Sequence, residues 1–146
     1  MELSSRFILD ADQARVAWEH IQQAKDNNIL TENEKKTYRS LIRSASADIL
    51  TSGLGQIMAF YASKGVENGQ AQKTKAHGLL LTHITDFLRQ RELIGNTSNT
   101  SNNFEDFFTS FTQDLPFNLY RLIIKETLGY ISWLKRFGEA ILPKPE

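Results

Sequence analysis

The sequence predicts an all-α protein, a compact single-domain bundle of about five to six helices. Three observations predict it. Apolar residues recur at helical spacing along most of the chain, capping and stop residues bracket those stretches, and no alternating β-branched run with hairpin turns interrupts them. At 146 residues and 40% hydrophobic composition the chain can bury one sizeable core and is too short for two.

The first helix is expected from an N-cap at Asp10, with Ala14, Ala17, Trp18, Ile21 and Ala24 forming its apolar stripe. "TENE" then reads as a capping box, Thr31 at N-cap and Glu34 at N3, ahead of a helix that gathers Tyr38, Leu41, Ile42, Ala45 and Ile49 on one face. A third helix runs from about Gly53 to Lys64 with Gly65 as its stop. A fourth carries Ala76, Leu80, Ile84, Phe87 and Leu88 to a stop at Gly95. The polar stretch "NTSNTSNN", residues 96–103, has no means of burying surface and is expected to be a flexible loop. A short helix holds Phe104, Phe107, Phe108 and Phe111, and Pro116 suits the first turn of a last helix reaching Leu142. That helix is apolar on more than one side, so it is either central or presents surface to a partner.

Seventeen basic residues balance seventeen acidic ones, so any polyanion binding must come from a local patch. With no cysteine, thiol chemistry and disulfides are excluded. No leader pattern and no apolar run of membrane-spanning length occurs, and a cytoplasmic location away from membranes is expected.

The stretch "SGLGQIMAFYASKG", residues 52–65, raises the question of a phosphate-cradling loop. Gly53 and Gly55 satisfy G-x-G, but Met58 stands where the dinucleotide fingerprint needs its third glycine, and a helix precedes it where a strand is required. The two glycines are read instead as close-packing positions that let a helix backbone approach a neighbour. His77 and His83 fall roughly 240° apart on one helix and cannot chelate one ion together. His83 and Asp86 share a face, but no third ligand is evident. His20, beside Glu19, is read as a solvated residue. The pattern therefore predicts no metal, no cofactor and no enzyme. Lys36, Arg39 and Arg43 form an i, i+3, i+7 ridge that could follow a phosphate backbone, which Lys64, Lys135 and Arg136 could extend if the fold brings them together. The alternative is a solvated charged face.

"SGLGQIMAFYASKG" followed by "YISWLKRFGEAIL", with "ADQARVAW" near the start, resembles the small all-helical subunit of the type III-B CRISPR effector, the Cmr RNA-targeting complex. The resemblance implies a noncatalytic subunit that stacks as a filament of its own copies. Its partners would be the backbone and large Cmr subunits, with guide and target RNA held in the groove between filaments. It assigns RNA phosphates to Lys64, Lys135 and Arg136, to which the ridge adds Arg39 and Arg43. Subunit contacts are expected at Phe107, Phe108 and Phe111 and at Tyr130 and Trp133. A free-standing helical adaptor, binding protein through the phenylalanine-rich segment and never meeting nucleic acid, is the competing expectation.

Overall fold

The computed structural model describes residues 2–26, 28–95, 103–113 and 115–145, the side chains of 2–9 and 103 excepted. In chain order they form α1 (Glu2–Asp26), α2 (Glu32–Ser52), α3 (Leu54–Gly65), strands β1 (Val66–Glu67) and β2 (Gln70–Ala71), α4 (Ala76–Gln90), α5 (Asn103–Thr112) and α6 (Phe117–Ile141). The class is all-α. Residues 96–102 of the stretch expected to be flexible lie outside the described residues, and Asn103 opens α5.

The middle of the bundle is α4, which packs against each of the other five helices. Its Leu79, Leu80, Leu81, Ile84, Phe87 and Leu88 are all buried, an apolar arc of about 200° that belongs inside. By contrast, α6 buries Ile123, Tyr130, Ile131 and Leu134 but leaves Phe117, Tyr120 and Leu122 exposed. It runs antiparallel to α4, since Phe87 stacks on Tyr130 and Arg91 reaches Glu126. It is antiparallel to α2 as well: Gly138 sits against Ile42 near one end, and Tyr120 and Ile124 share a groove with Ile49 and Leu54 at the other.

Several expectations about boundaries and faces are corrected. Asp10 is no N-cap, because α1 already runs from Glu2; its carboxylate instead accepts the Trp133 indole N–H at 3.1 Å. The α1 stripe is turned toward Gln13, Val16, Ala17, His20, Ile21 and Ala24, leaving Trp18 45% exposed. Thr31 does cap α2, accepting from Glu34 N–H at 3.2 Å, but the Glu34 carboxylate goes elsewhere and accepts the Ala76 N–H of α4 at 3.0 Å. At the other end, α4 stops at Gln90, well before Gly95. There Glu92 turns left-handed with φ 58°, and the Leu93 N–H closes on the Leu88 carbonyl.

A hairpin exists that the periodicity did not reveal: β1 and β2 pair antiparallel across Asn68–Gly69, both with positive φ. Asn-Gly is the pair a two-residue turn of this kind demands, but strands of two residues are too short to show alternation.

The two glycines expected to pack closely have different roles. Gly53 adopts φ 91° at the corner where α2 ends and α3 begins, and nothing lies within 4 Å of where its Cβ would stand. It is required by backbone conformation rather than by crowding, which corrects that assignment. Gly55 is crowded, since a Cβ there would stand 2.7 Å from Phe111 of α5. The tightest backbone approach is between Gly65 and Gly78, where a Cβ on either would run into the other's backbone.

Candidate nucleic-acid interface

The cations singled out by spacing fall into two groups. Arg39 is half-buried and donates to the Leu142 carbonyl at 3.1 Å, so this side of α2 faces α6. Arg43, one turn on, is exposed along the same α2/α6 border. On α6, Arg121, Lys125, Lys135 and Arg136 are all exposed. At about 100° per residue they fall within one outer arc roughly 100° wide, which also carries the acid Glu139. Lys135 lies at the edge of that arc nearest α2, because it neighbours Gly138, which packs on Ile42. The two helices thus present one outer face that is richer in cations than the neutral chain as a whole.

Lys64 does not join it. Its ammonium stands 6.0 Å from the centroid of Phe60, whose ring meets His77 edge-on at 5.8 Å. That corner belongs to the α3/α4 contact and lies off the side of α2 where Glu34 reaches Ala76, away from the α6-facing side. The expectation of a single strip holding all five cations is corrected accordingly. Arg39 also has a structural duty of its own in tying α2 to the end of α6. The spacing signal for Arg121 and Lys125, four residues apart on the same arc, was present in the sequence and missed.

The aromatic residues expected at a subunit contact are mostly interior. Tyr130 is fully buried, stacked on Phe87 with ring centroids 4.4 Å apart, and Phe107 is fully buried as well, so neither can touch a partner. Both assignments are corrected, because an all-round apolar helix pattern does not say which ring faces in. Phe108 and Phe111 are half-buried, and Phe111 lies 5.8 Å from Tyr120. Trp133 is half-buried in the α1/α6 contact, between Asp10 and Phe137. Among the described residues, the large apolar side chains most open to solvent are Leu50 at 72% and Phe117 at 70%.

Inside, α1, α2, α4 and α6 meet in a polar cluster. His20 is 2% exposed, which overturns its reading as a solvated residue. Its ring stacks on His83 at 4.2 Å, Nε2 lies 2.8 Å from Asp86 Oδ2, and Nδ1 lies 2.6 Å from the Tyr130 hydroxyl. His83 repeats the arrangement, with Tyr38 at 2.7 Å on Nδ1 and Gln23 Oε1 at 3.1 Å on Nε2. Since a carboxylate and an amide oxygen only accept, both rings carry their proton on Nε2, and both phenols donate to Nδ1. Burial pushes His83 well below the ordinary histidine range, and the neighbouring His20 and Lys73 push the same way. The hydrogen bond from His20 holds Asp86 below the usual carboxylate range. Burial raises Tyr130 and Tyr38 well above an ordinary phenol, so both stay protonated donors.

Each of these groups is already engaged by protein, which fits a specifying core rather than a reaction centre. Among the described residues, no group of three or more His, Asp or Glu side chains is arranged to hold a metal ion, and no helix is long and apolar enough to cross a membrane. The outer face of α2 and α6, with its exposed cations, is the feature that asks for a partner.

No curated protein matches the chain. A family model described as "CRISPR-associated protein (Cas_Cmr5)" matches residues 9–141, from the first helix to the end of the last. With six helices in the described residues and almost the whole chain covered, the protein belongs to the Cas_Cmr5 family of CRISPR-associated proteins.

Proposed function

We propose that this protein is the noncatalytic small subunit of a type III-B CRISPR effector, a cytoplasmic antiviral complex guided by RNA. In it, copies stack as a filament beside the guide-carrying backbone subunits, and the α2/α6 outer face supports the guide–target duplex through its phosphates. The observation that carries this reading is the one-sided placement of Arg43, Lys135 and Arg136 on a chain of zero net charge, within a match to a CRISPR-associated family. Such a face gives each copy only a few phosphate contacts, too few for a strong hold in isolation. Aligned copies multiply those contacts along one strand. Sequence specificity is left to base pairing, so shape and charge suffice.

The test is made in the assembled complex. Replacing Arg43, Lys135 and Arg136 together by Glu is expected to weaken target-RNA capture and to flatten its salt dependence by about one unit of log–log slope per lost contact. Lys64→Glu, at the other corner, is expected to leave both nearly unchanged. Capture and salt slope identical to the parent's in the triple variant would remove the phosphate role of this face.

A further inference from the structure

Where Gly53 turns the chain from α2 into α3, the start of α6 lies alongside, and the three helices leave a groove of about 530 Å³. Ile49, Leu54, Ile124 and Leu128 line it with aliphatic carbon, Leu50 and Tyr120 stand at its edge, and Arg121 and Lys125 complete its wall. Of the six large hydrophobic side chains exposed among the described residues, Leu50 and Tyr120 line it, and Phe117 stands on the same side of α6 about one turn before Tyr120.

The charged side chains that line the groove are both cationic, Arg121 and Lys125. Lys125 and Arg121 make no ion pair among the described residues, Arg121 only approaching the Phe117 ring at 5.8 Å. Two helices, α3 and α6, begin here, and neither carries an acidic residue in its first turn or a side-chain cap. The end of α2, with no basic residue in its last turn, sets its carbonyls against the start of α3, so the positive potential rests on the two cations and the start of α6. The groove therefore asks for a ligand that is apolar along its centre and negative along its border.

We infer that this groove docks an acidic amphipathic helix of a partner protein, with leucine-like side chains in the groove and carboxylates against Arg121 and Lys125. Helix-in-groove binding uses apolar anchors at i, i+3 or i+4, and i+7, which suits an aliphatic floor. A nucleic acid would use the cations but not the floor, because bases stack on flat rings and Tyr120 is the one ring lining the groove. Arg121 and Lys125 share an arc with Lys135 and Arg136, but the RNA-supporting role rests on Arg43 and the latter two, so the inference does not depend on it.

The test is an NMR titration of the full chain with three probes: a synthetic helix bearing Leu at i, i+3, i+4 and i+7 flanked by Glu, the same helix flanked by Lys, and oligo(U). The acidic helix is expected to shift the methyls of Leu50, Leu54, Ile124 and Leu128 saturably, and the basic helix to leave them unmoved. Arg121→Glu with Lys125→Glu should weaken the acidic helix by about tenfold and admit the basic one. Leu50→Ser, on a side chain 72% exposed, should weaken binding with the fold untouched, which separates lost docking from lost folding. The proposal is overturned if both helices bind alike, if the acidic helix shifts none of these methyls, or if oligo(U) displaces it. It is equally overturned if the free chain dimerises through those methyls. Arg43, Lys135 and Arg136 are absent from the groove, so failure here leaves the RNA reading standing, and failure there leaves this one.

Discussion

The interior where His20, His83 and Asp86 meet and the outer face of α2 and α6 use similar residue types under opposite rules. Inside, every ring nitrogen of the two histidines has a protein partner within 3.1 Å, and Asp86 Oδ2 accepts from both His20 and Gln90. Outside, Arg43, Lys135 and Arg136 make no hydrogen bond or ion pair among the described residues. A buried polar group that lacks a partner costs more than the bond it would make, so an interior network is complete by necessity and specifies how the helices cross. An exposed cation loses little by standing alone and remains available to something that arrives later. Polar residues that look alike in sequence thus serve architecture in one place and stay open to a partner in the other.

The comparison predicts an ordered set of effects on stability. Arg91→Ala should be the most damaging, because it strands the Glu126 carboxylate, 2% exposed, with Gln13 as its remaining partner, and removes the tie to Asp12. Breaking such a buried pair costs about 3–5 kcal/mol, and urea denaturation would measure it. If Arg91→Ala costs no more than a surface change, the interior is less dependent on completed partners than claimed. Gly78→Ala comes next at about 1–3 kcal/mol, since its new methyl would meet the Gln72 and Gly65 carbonyls.

The third prediction concerns acid. Because the folded pKa of His83 is depressed, the unfolded chain takes up a proton first as pH falls below 6.5, and the stability held above that value is lost toward the folded pKa. The slope is at most about 1.4 kcal/mol per pH unit. Asp86, also depressed, adds a loss at lower pH, because below the ordinary carboxyl value of 3.8 the unfolded chain takes up the proton first. Thermal melts of the parent and of His83→Gln from pH 7 to 5 should show the variant less stable at neutrality but flatter with pH. Parallel curves would mean that His83 does not control this window. Smallest of all, Arg43→Glu with Lys135→Glu should change stability by no more than about 0.5 kcal/mol. A larger loss would mean that this face is part of the architecture after all.

Much of the helical scaffold was legible because its signals are local. Thr31 caps α2 as its spacing with Glu34 suggests, and Tyr38, Ile42, Ala45 and Ile49 share the buried face. The misreadings are equally local in origin. His20 lies three and four residues from Ala17, Val16 and Ala24, all buried, and that spacing outweighed its charged neighbour Glu19. The Asn68–Gly69 pair announced a hairpin, but two-residue strands gave the periodicity nothing to register. Tyr130 was open to either reading, since on a helix with apolar residues on several sides only the packing of α1, α4 and α6 decides which one is enclosed.

Period, caps and stops lie within a few residues of one another, so the amino-acid sequence by itself determined that this chain is helical and roughly where each helix runs. The tertiary structure alone decided that Lys64 stands apart from Lys135 and Arg136, that His20 finds His83, and that α2, α3 and α6 leave a groove between them. Those outcomes depend on how helices distant in the chain cross. Crossing is set by the whole interdigitated core, which no short stretch of sequence contains.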